Sequence, residues 1–428
     1  MAGLALFIAS DFVNRSAIPA TFSAAVKNSD KGYDAQIVSP SYNIRSSMPT
    51  DLKNMPKVIG TTKSYNNQYV RVMKIRVTNA GAWAYIRYYG KYVGWVSIYA
   101  IKEVSLSTIA TQMMKKYDAV GTMTLISAGT NHTVTVANGY ANKAQGILNE
   151  TTGKVIYPLA SLQKSMTGAI VQQLIDSGQI SLKDTLDTWY PSVKYADKIT
   201  IKEMLTMTSG IQNDDLTPKS NMTENQAYQS MLSRIKSDTP GTYHYSDANY
   251  VFLAGIIAKV TGQSYETNLK TRILDKLGMT NTFIAGEPMS SKVIAQCYEA
   301  SNGQDYAKLA SVPVSLQTTI PGAGNLYTTA QDYLTFQASL TNGKVLTSSE
   351  LNEMLSYSNN GYSGGFYTTV SGNKHNLGSF GGTGDRTFVY SDINNYHGSI
   401  GMLNQTPLAN NTSVYEFSKQ MYQIAKYY

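Results

Sequence analysis

The sequence predicts an α+β protein in which one antiparallel sheet is flanked by helices and a helical subdomain, preceded by a small all-β barrel. Three observations carry this expectation. Residues 31–104 run in short β-branched and aromatic stretches with alternating polarity. Further on, strand-like segments near 123–138 and 363–403 bracket a mainly helical region from about 160 to 290. Strands at both ends with helices inserted between them fit one sheet plus a helical insert better than an alternating parallel-sheet pattern. At 428 residues the chain is long enough for two domains.

In chain order, residues 1–30 form an N-terminal arm. Gly3–Ser10 (GLALFIAS) is apolar but too short to span a bilayer, and it lacks the basic flank of a signal peptide. Phe22-Ser23-Ala24-Ala25 would suit a signal peptidase. Two readings stay open: the remnant of an export signal that starts upstream, with peripheral or N-terminally anchored membrane attachment, or a plain arm. Residues 31–104 form the all-β module. Tyr69–Thr78 (YVRVMKIRVT) and Trp83–Tyr89 (WAYIRYY) alternate, and a Tyr89-Gly90-Lys91 turn leads into Tyr92–Ser97 (YVGWVS). For most of its rings, Trp83 and Trp95 included, the plain expectation is barrel core. Residues 105–428 then begin with an amphipathic helix, Thr108–Tyr117, followed by strands near Met123–Ser127 and Thr133–Asn138. The Ser/Asn/Gly/Tyr-rich stretch Ser356–Asn376 reads as a mobile hairpin or loop, and Val414–Lys426 as a closing helix.

Charge divides the chain more sharply than length does. The net charge is +8, and residues 31–104 hold eleven Lys and Arg against three acids, whereas residues 105–428 hold twenty-three of each sign. A solvated face would carry both signs, so Lys63, Arg71, Lys74, Arg76, Arg87 and Lys91 are candidates for binding a polyanion. One cysteine, Cys297, excludes an intrachain disulfide, and four scattered histidines give no metal-ligand cluster. No cofactor or metal is therefore expected.

The chemistry is expected at Pro158-Leu159-Ala160-Ser161-Leu162-Gln163-Lys164, which opens a helix running to about Asp176. The first turn of a helix favours developing negative charge, and Lys164 lies one turn on from Ser161 on the same face. A desolvated lysine can take a serine proton. A lone S-x-x-K is ordinarily an N-cap serine with a solvated lysine, but this one is followed in order by Leu174–Asp184, Ile199–Gly210, Pro240-Gly241-Thr242-Tyr243-His244-Tyr245-Ser246-Asp247, Leu277–Thr282 and Pro321–Thr329. Together these segments resemble the class C β-lactamase and penicillin-binding D-alanyl-D-alanine peptidase family over about residues 106–428. Likewise Tyr92-Val93-Gly94-Trp95-Val96 resembles the SH3-like, or GW, wall-binding modules of bacteria.

The resemblance implies Ser161 as nucleophile, Lys164 as its proton acceptor and Tyr245 as proton shuttle to the leaving group. It aligns Gly378–Gly384 with the family's third element on the sheet edge, so that Ser161 and Gly382 would supply the oxyanion hole beside Gly381. Two positions depart from the family. Asp247 stands for an Asn, either as a helix N-cap or as a substrate contact, and Ser379 replaces a Lys or His, with Lys374 or His375 as distant substitutes for the missing charge. Both departures weaken the grip on an N-acylated substrate with a free carboxylate. A D-alanyl ester of teichoic acid has no such carboxylate and carries an ammonium that Asp247 could pair with. The expected function is thus a cell-surface serine hydrolase acting on D-alanyl groups, outside a Gram-positive-type bacterium. The wall polymer, teichoic acid or peptidoglycan, would be held by the basic module, and no nucleic-acid partner is expected. A D,D-carboxypeptidase, a general carboxylesterase and a catalytically silent wall-binding protein remain as alternatives.

Overall fold

A computed structural model describes Asp30 and residues 32–289, 291–358 and 360–428. The expected N-terminal arm or export-signal remnant lies, apart from Asp30, outside the described residues. The chain divides into two compact units: one runs to Gln112 and includes Gln423–Tyr428, and the other is Met113–Tyr422. Among the described residues no helix is long and apolar enough to cross a membrane.

The first unit is an antiparallel seven-stranded sheet with the order Val58–Thr61, Asn43–Arg45, Lys91–Ser97, Gly81–Tyr88, Tyr69–Thr78, Tyr33–Ile37, Ile101–Glu103. Its core takes Ala35, Ile37, Ile44, Val70, Val72, Ile75, Ala84, Ile86 and Val96 from several strands into one cluster, so the sheet must curl around it. The hairpin turn is Tyr89-Gly90, both with positive φ (44° and 77°), the two-residue geometry that matches strand twist.

The second unit carries an antiparallel sheet of order Tyr362–Ser363, Phe366–Thr368, Asn373–Gly378, Arg386–Asp392, Gly398–Leu403, Gly121–Ile126, Thr133–Asn138. Strands from both ends of the unit thus pair at its centre, with Gly121–Ile126 against Gly398–Leu403. The stretch expected as a mobile hairpin or loop supplies the edge strands instead. Tyr362 and Phe366 are fully buried there, and that burial fixes the register.

Between these strands lies the helical part, with helix Lys164–Asp176 at its centre. The sequence shows one apolar stripe on this helix, yet it is enclosed on nearly every side. Its polar residues are satisfied internally: Ser165 Oγ donates to Leu162 O (2.6 Å), Thr167 Oγ1 to Gly322 O (2.7 Å), and Gln172 accepts from Tyr357. Gly365 (φ 88°) packs its backbone onto the first turn, where a Cβ would come 2.3 Å from Ser165 N.

Candidate active site

Strand Val155–Pro158 delivers the chain to Ser161. It pairs with Leu326–Thr328, and Leu159 N donates to Leu326 O (2.8 Å), so the segment enters the site on a fixed track. Ala160 has φ 51°, a left-handed conformation that is unfavourable for a residue with a Cβ. Ser161 then lies in a 3-10 turn, Ala160–Gln163, rather than in the α-helix proper, which starts at Lys164. Residues i and i+3 eclipse in a 3-10 turn, and the two side chains accordingly meet: Lys164 Nζ is 2.9 Å from Ser161 Oγ.

Lys164 is fully buried; its ammonium donates to Ser161 Oγ and Ala323 O (2.8 Å) and forms an ion pair with Asp247 Oδ1 at 2.7 Å. The Tyr245 ring lies beside it, with the ring centroid 5.1 Å from Nζ. Burial pushes the ammonium towards neutrality. The Asp247 charge, followed by that of Tyr245, outweighs it, and the pKa of Lys164 is raised. Ser161, Lys164, Tyr245 and Asp247 are therefore brought together.

Of the two readings left open for Asp247, the helix N-cap is not met. Ser246 holds the cap position of helix Asp247–Thr261 without a side-chain cap bond of its own. The cap comes from elsewhere: Asn213 Oδ1, on strand Ile211–Asn213, accepts from Ala248 N (3.0 Å) and Ser246 Oγ (2.7 Å). Asp247 is thereby released to face Lys164, and its side chain stays 24% exposed.

The segment aligned with the third family element starts at Gly378, the end of strand Asn373–Gly378, and from Ser379 onward is a turn leading to strand Arg386–Asp392. Ser379, Gly381 and Gly382 are exposed in it, with open space where a Cβ of either glycine would stand. The ties to the serine segment come from the flanking strands: Asn376 Nδ2 donates to Ser161 O (3.0 Å) and Thr387 Oγ1 to Leu159 O (2.8 Å). Asp385 holds the turn from within, accepting from Phe380 N (3.4 Å) and the Thr383 hydroxyl, while burial raises its pKa to about 6.

Neither distant substitute for the missing cation reaches the site. Lys374 is fully buried and donates to Ser391 Oγ (2.8 Å), the carbonyls of Asp392 and Ile393 (both 3.2 Å) and the Asn395 side chain. His375 lies stacked between Tyr367 and Tyr390, and burial lowers its pKa to about 4, so it is neutral at ordinary pH. Sequence reasoning also missed Asn376, Asn213 and the Ala323 carbonyl, which orient the serine turn, Asp247 and Lys164. No local pattern marks them, because each acts across a long stretch of chain.

The six basic residues of the first unit fall into two groups. Arg71 and Arg76 are paired with Asp34 (2.8 Å) and Asp30 (2.6 Å). Among the described residues no acid pairs with Lys63, Lys74, Arg87 or Lys91. Trp83 is buried, but it is not part of the expected barrel core: like Trp95, Tyr85 and Tyr92 it stands apart from the core cluster.

With this geometry in place, comparison with known proteins is informative. The Beta-lactamase family model matches residues 106–411, well over half of the chain, and a GW (Gly-Tryp) dipeptide domain matches residues 27–102. The chain is 26% identical over 328 residues to the putative penicillin-binding protein PbpX of Bacillus subtilis (strain 168), covering 71% of this chain and 78% of that one. It is 28% identical over 250 residues to the teichoic acid D-alanine hydrolase of Staphylococcus aureus, covering 57% of this chain and 61% of that protein, less than two thirds of its length. Among solved structures, FmtA from Staphylococcus aureus superimposes with TM-score 0.63 at 24% identity (75% of this chain, 89% of that one). The D-amino acid amidase from Ochrobactrum anthropi SV3 gives TM-score 0.62 at 19% identity (74% and 96%). At such identities the superpositions speak for the fold. The chain belongs to the β-lactamase family of serine hydrolases, with a GW domain ahead of the hydrolase domain.

Proposed function

We propose that the protein removes D-alanyl groups from a wall polymer through an acyl-enzyme on Ser161, with D-alanyl esters of teichoic acid as the favoured substrate. The observation that carries this reading is the short chain Ser161–Lys164–Asp247, in which a carboxylate stands where the family has an amide. In the resting state Lys164 is an ammonium that donates to Ser161 Oγ, so it is not yet a base. Loss of one Lys164 proton to solvent leaves an amine beside the hydroxyl. That amine takes the Ser161 proton as Oγ bonds to the ester carbonyl carbon. The tetrahedral oxyanion would be met by the N–H groups of Ser161 and Gly382. Tyr245 then donates its proton to the departing polyol oxygen as the C–O bond breaks and regains one from Lys164, which holds the Ser161 proton; water then releases D-alanine by the reverse sequence.

Part of the Asp247 side chain remains exposed. A carboxylate there favours a free ammonium, as in a D-alanyl ester, over the N-acylated D-alanine of a peptide. Ser379 offers no cation for a substrate carboxylate, and an ester of this kind has none. The likeness to a teichoic acid D-alanine hydrolase and the GW domain support the same reading and a site of action in the wall of a Gram-positive-type bacterium. Incubation with D-alanylated lipoteichoic acid and, separately, with a D-Ala-D-Ala peptide tests it by the D-alanine released. Release from the polymer in clear excess is the expected result. Release from the peptide alone makes the protein a D,D-carboxypeptidase. Hydrolysis of simple esters alone makes it a general esterase, and no turnover or fluorophosphonate labelling makes it a silent wall-binding protein.

A further inference from the structure

The Gly-Trp dipeptide of the first unit performs a specific geometric task. In an unbroken strand, residues three apart point to opposite faces. Strands Gly81–Tyr88 and Lys91–Ser97 pair Tyr85 with Trp95 and Ile86 with Gly94, and then shift register so that Arg87 faces Tyr92. This bulge at Val93-Gly94 brings Tyr92 and Trp95 to the same face. Gly94 alone permits it: its φ is 142°, and a Cβ would lie 2.8 Å from Arg45 O.

On that face, away from the core, the rings form a ladder. Tyr92 stacks on Tyr85 (centroids 5.0 Å apart, planes at 18°), and Tyr85 stacks on Trp95 (5.1 Å, 28°). The Arg87 guanidinium lies over the outermost ring, Tyr92, at 3.8 Å, and Tyr92 is 57% exposed. Lys74, exposed, is the cross-strand neighbour of Tyr85. Among the described residues the Arg87 guanidinium has no hydrogen-bond or acidic partner, and its Nε is shielded from water without one. A planar cation laid on a ring and left with its N–H edge unused is organised in advance for a bidentate anion.

We propose that this ladder, with Arg87 and Lys74 as its cations, is where the N-terminal unit takes the phosphodiester groups of a wall polymer. The idea rests on the reading of this unit as a polymer-binding module, and it distinguishes Arg87 and Lys74 from Arg71 and Arg76, whose charges are already met by acids of the same unit. The stacked rings fix the guanidinium, the guanidinium grips one phosphodiester, and Lys74 attracts the next.

The test uses the full chain and immobilised lipoteichoic acid, with binding followed against salt concentration. Lys102→Ala is the control, since it removes one exposed charge from a different strand, Ile101–Glu103. Arg87→Ala is expected to weaken binding about tenfold and to lower the slope of log affinity against log salt by roughly one. Tyr92→Ala, at an exposed position, is expected to weaken binding several-fold with the charge intact, and Arg87→Lys to restore only part of the loss. Equal losses for Arg87→Ala and Lys102→Ala, or none for Tyr92→Ala, would mean diffuse charge attraction and would overturn the ladder while leaving the polymer-binding reading in place. Undiminished binding to walls stripped of phosphate polymer would overturn both, since the unit would then read glycan or peptide.

Discussion

Two lysines are wholly enclosed in the hydrolase unit, and their surroundings drive them in opposite directions. Lys164 starts the helix behind Ser161, and Lys374 lies on strand Asn373–Gly378. Burial penalises the ammonium in both. Beside Lys164 a carboxylate is in direct contact, and the pKa rises. Around Lys374 the contacts are a hydroxyl, two carbonyls and an amide, while the nearby Asp392 is engaged by Tyr422 and His397, and the pKa falls to about 7. The lysine with the lowered pKa is thus remote from the serine. What distinguishes Lys164 is a place in a chain of groups through which a proton can move, not ease of deprotonation.

The same deletion at both positions tests this contrast most directly. Lys164→Met is expected to reduce D-alanine release by about 10²–10⁴-fold, because the hydroxyl loses its proton acceptor. Ser161→Ala should abolish the covalent fluorophosphonate adduct while the fold survives. Lys374→Met, in the fraction that folds, should keep turnover within about twofold. Equal losses at the two lysines would dissolve the distinction.

A third lysine can be introduced where the family keeps a cation. Acylation by fluorescent penicillin should be slow in the natural protein, and Ser379→Lys should improve it by at most ~1.5–3 kcal/mol, one charge-assisted hydrogen bond. Rapid labelling without the substitution would show that Ser379 is no handicap.

Asp247→Asn keeps the shape of the pair and removes its charge. The pKa of Lys164 should fall, moving the rising limb of the pH–rate profile to lower pH by about one unit. The preference for D-alanyl ester over peptide should shrink roughly tenfold. An unmoved limb would mean that Asp247 does not govern the protonation of Lys164.

The smallest expected effect is on stability. Lys374 has a folded pKa below its unfolded value, so above about pH 7 the unfolded chain binds more protons and stability rises with pH. From this group the gain is about 1 kcal/mol between about pH 7 and pH 8, and it should vanish in Lys374→Met. Lys164, with its pKa raised, contributes stability below its unfolded pKa that is lost only as the pH climbs through its folded one, so it adds no slope in this window. Urea titrations at the two pH values would measure the difference.

Much of this was legible in the chain because it is written locally. Alternation marked the strands of the first unit, and Tyr89-Gly90 marked their hairpin, since two-residue turns demand particular backbone conformations. The ordered segments around Ser161, Lys164 and Tyr245 marked the family, and an i, i+3 spacing placed serine and lysine on one face. Other features depended on partners far along the chain. Asp247 reads as an N-cap by position, and only the approach of Asn213 takes over the capping and turns Asp247 towards Lys164. Lys374 looks like a spare cation near the third element and shares a strand face with Asn376, but it lies two residues further from Ser161 along that strand and its ammonium is taken up by the 391–395 turn. Trp95 reads as barrel core, and the bulge at Gly94 sets it with Tyr92 on the face away from the core cluster. Local preference sets which elements form, because backbone conformation and periodicity are properties of neighbours in sequence. Which charge meets which, and which ring meets water, follows from how distant strands and helices pack, and for this protein only the tertiary structure decided it.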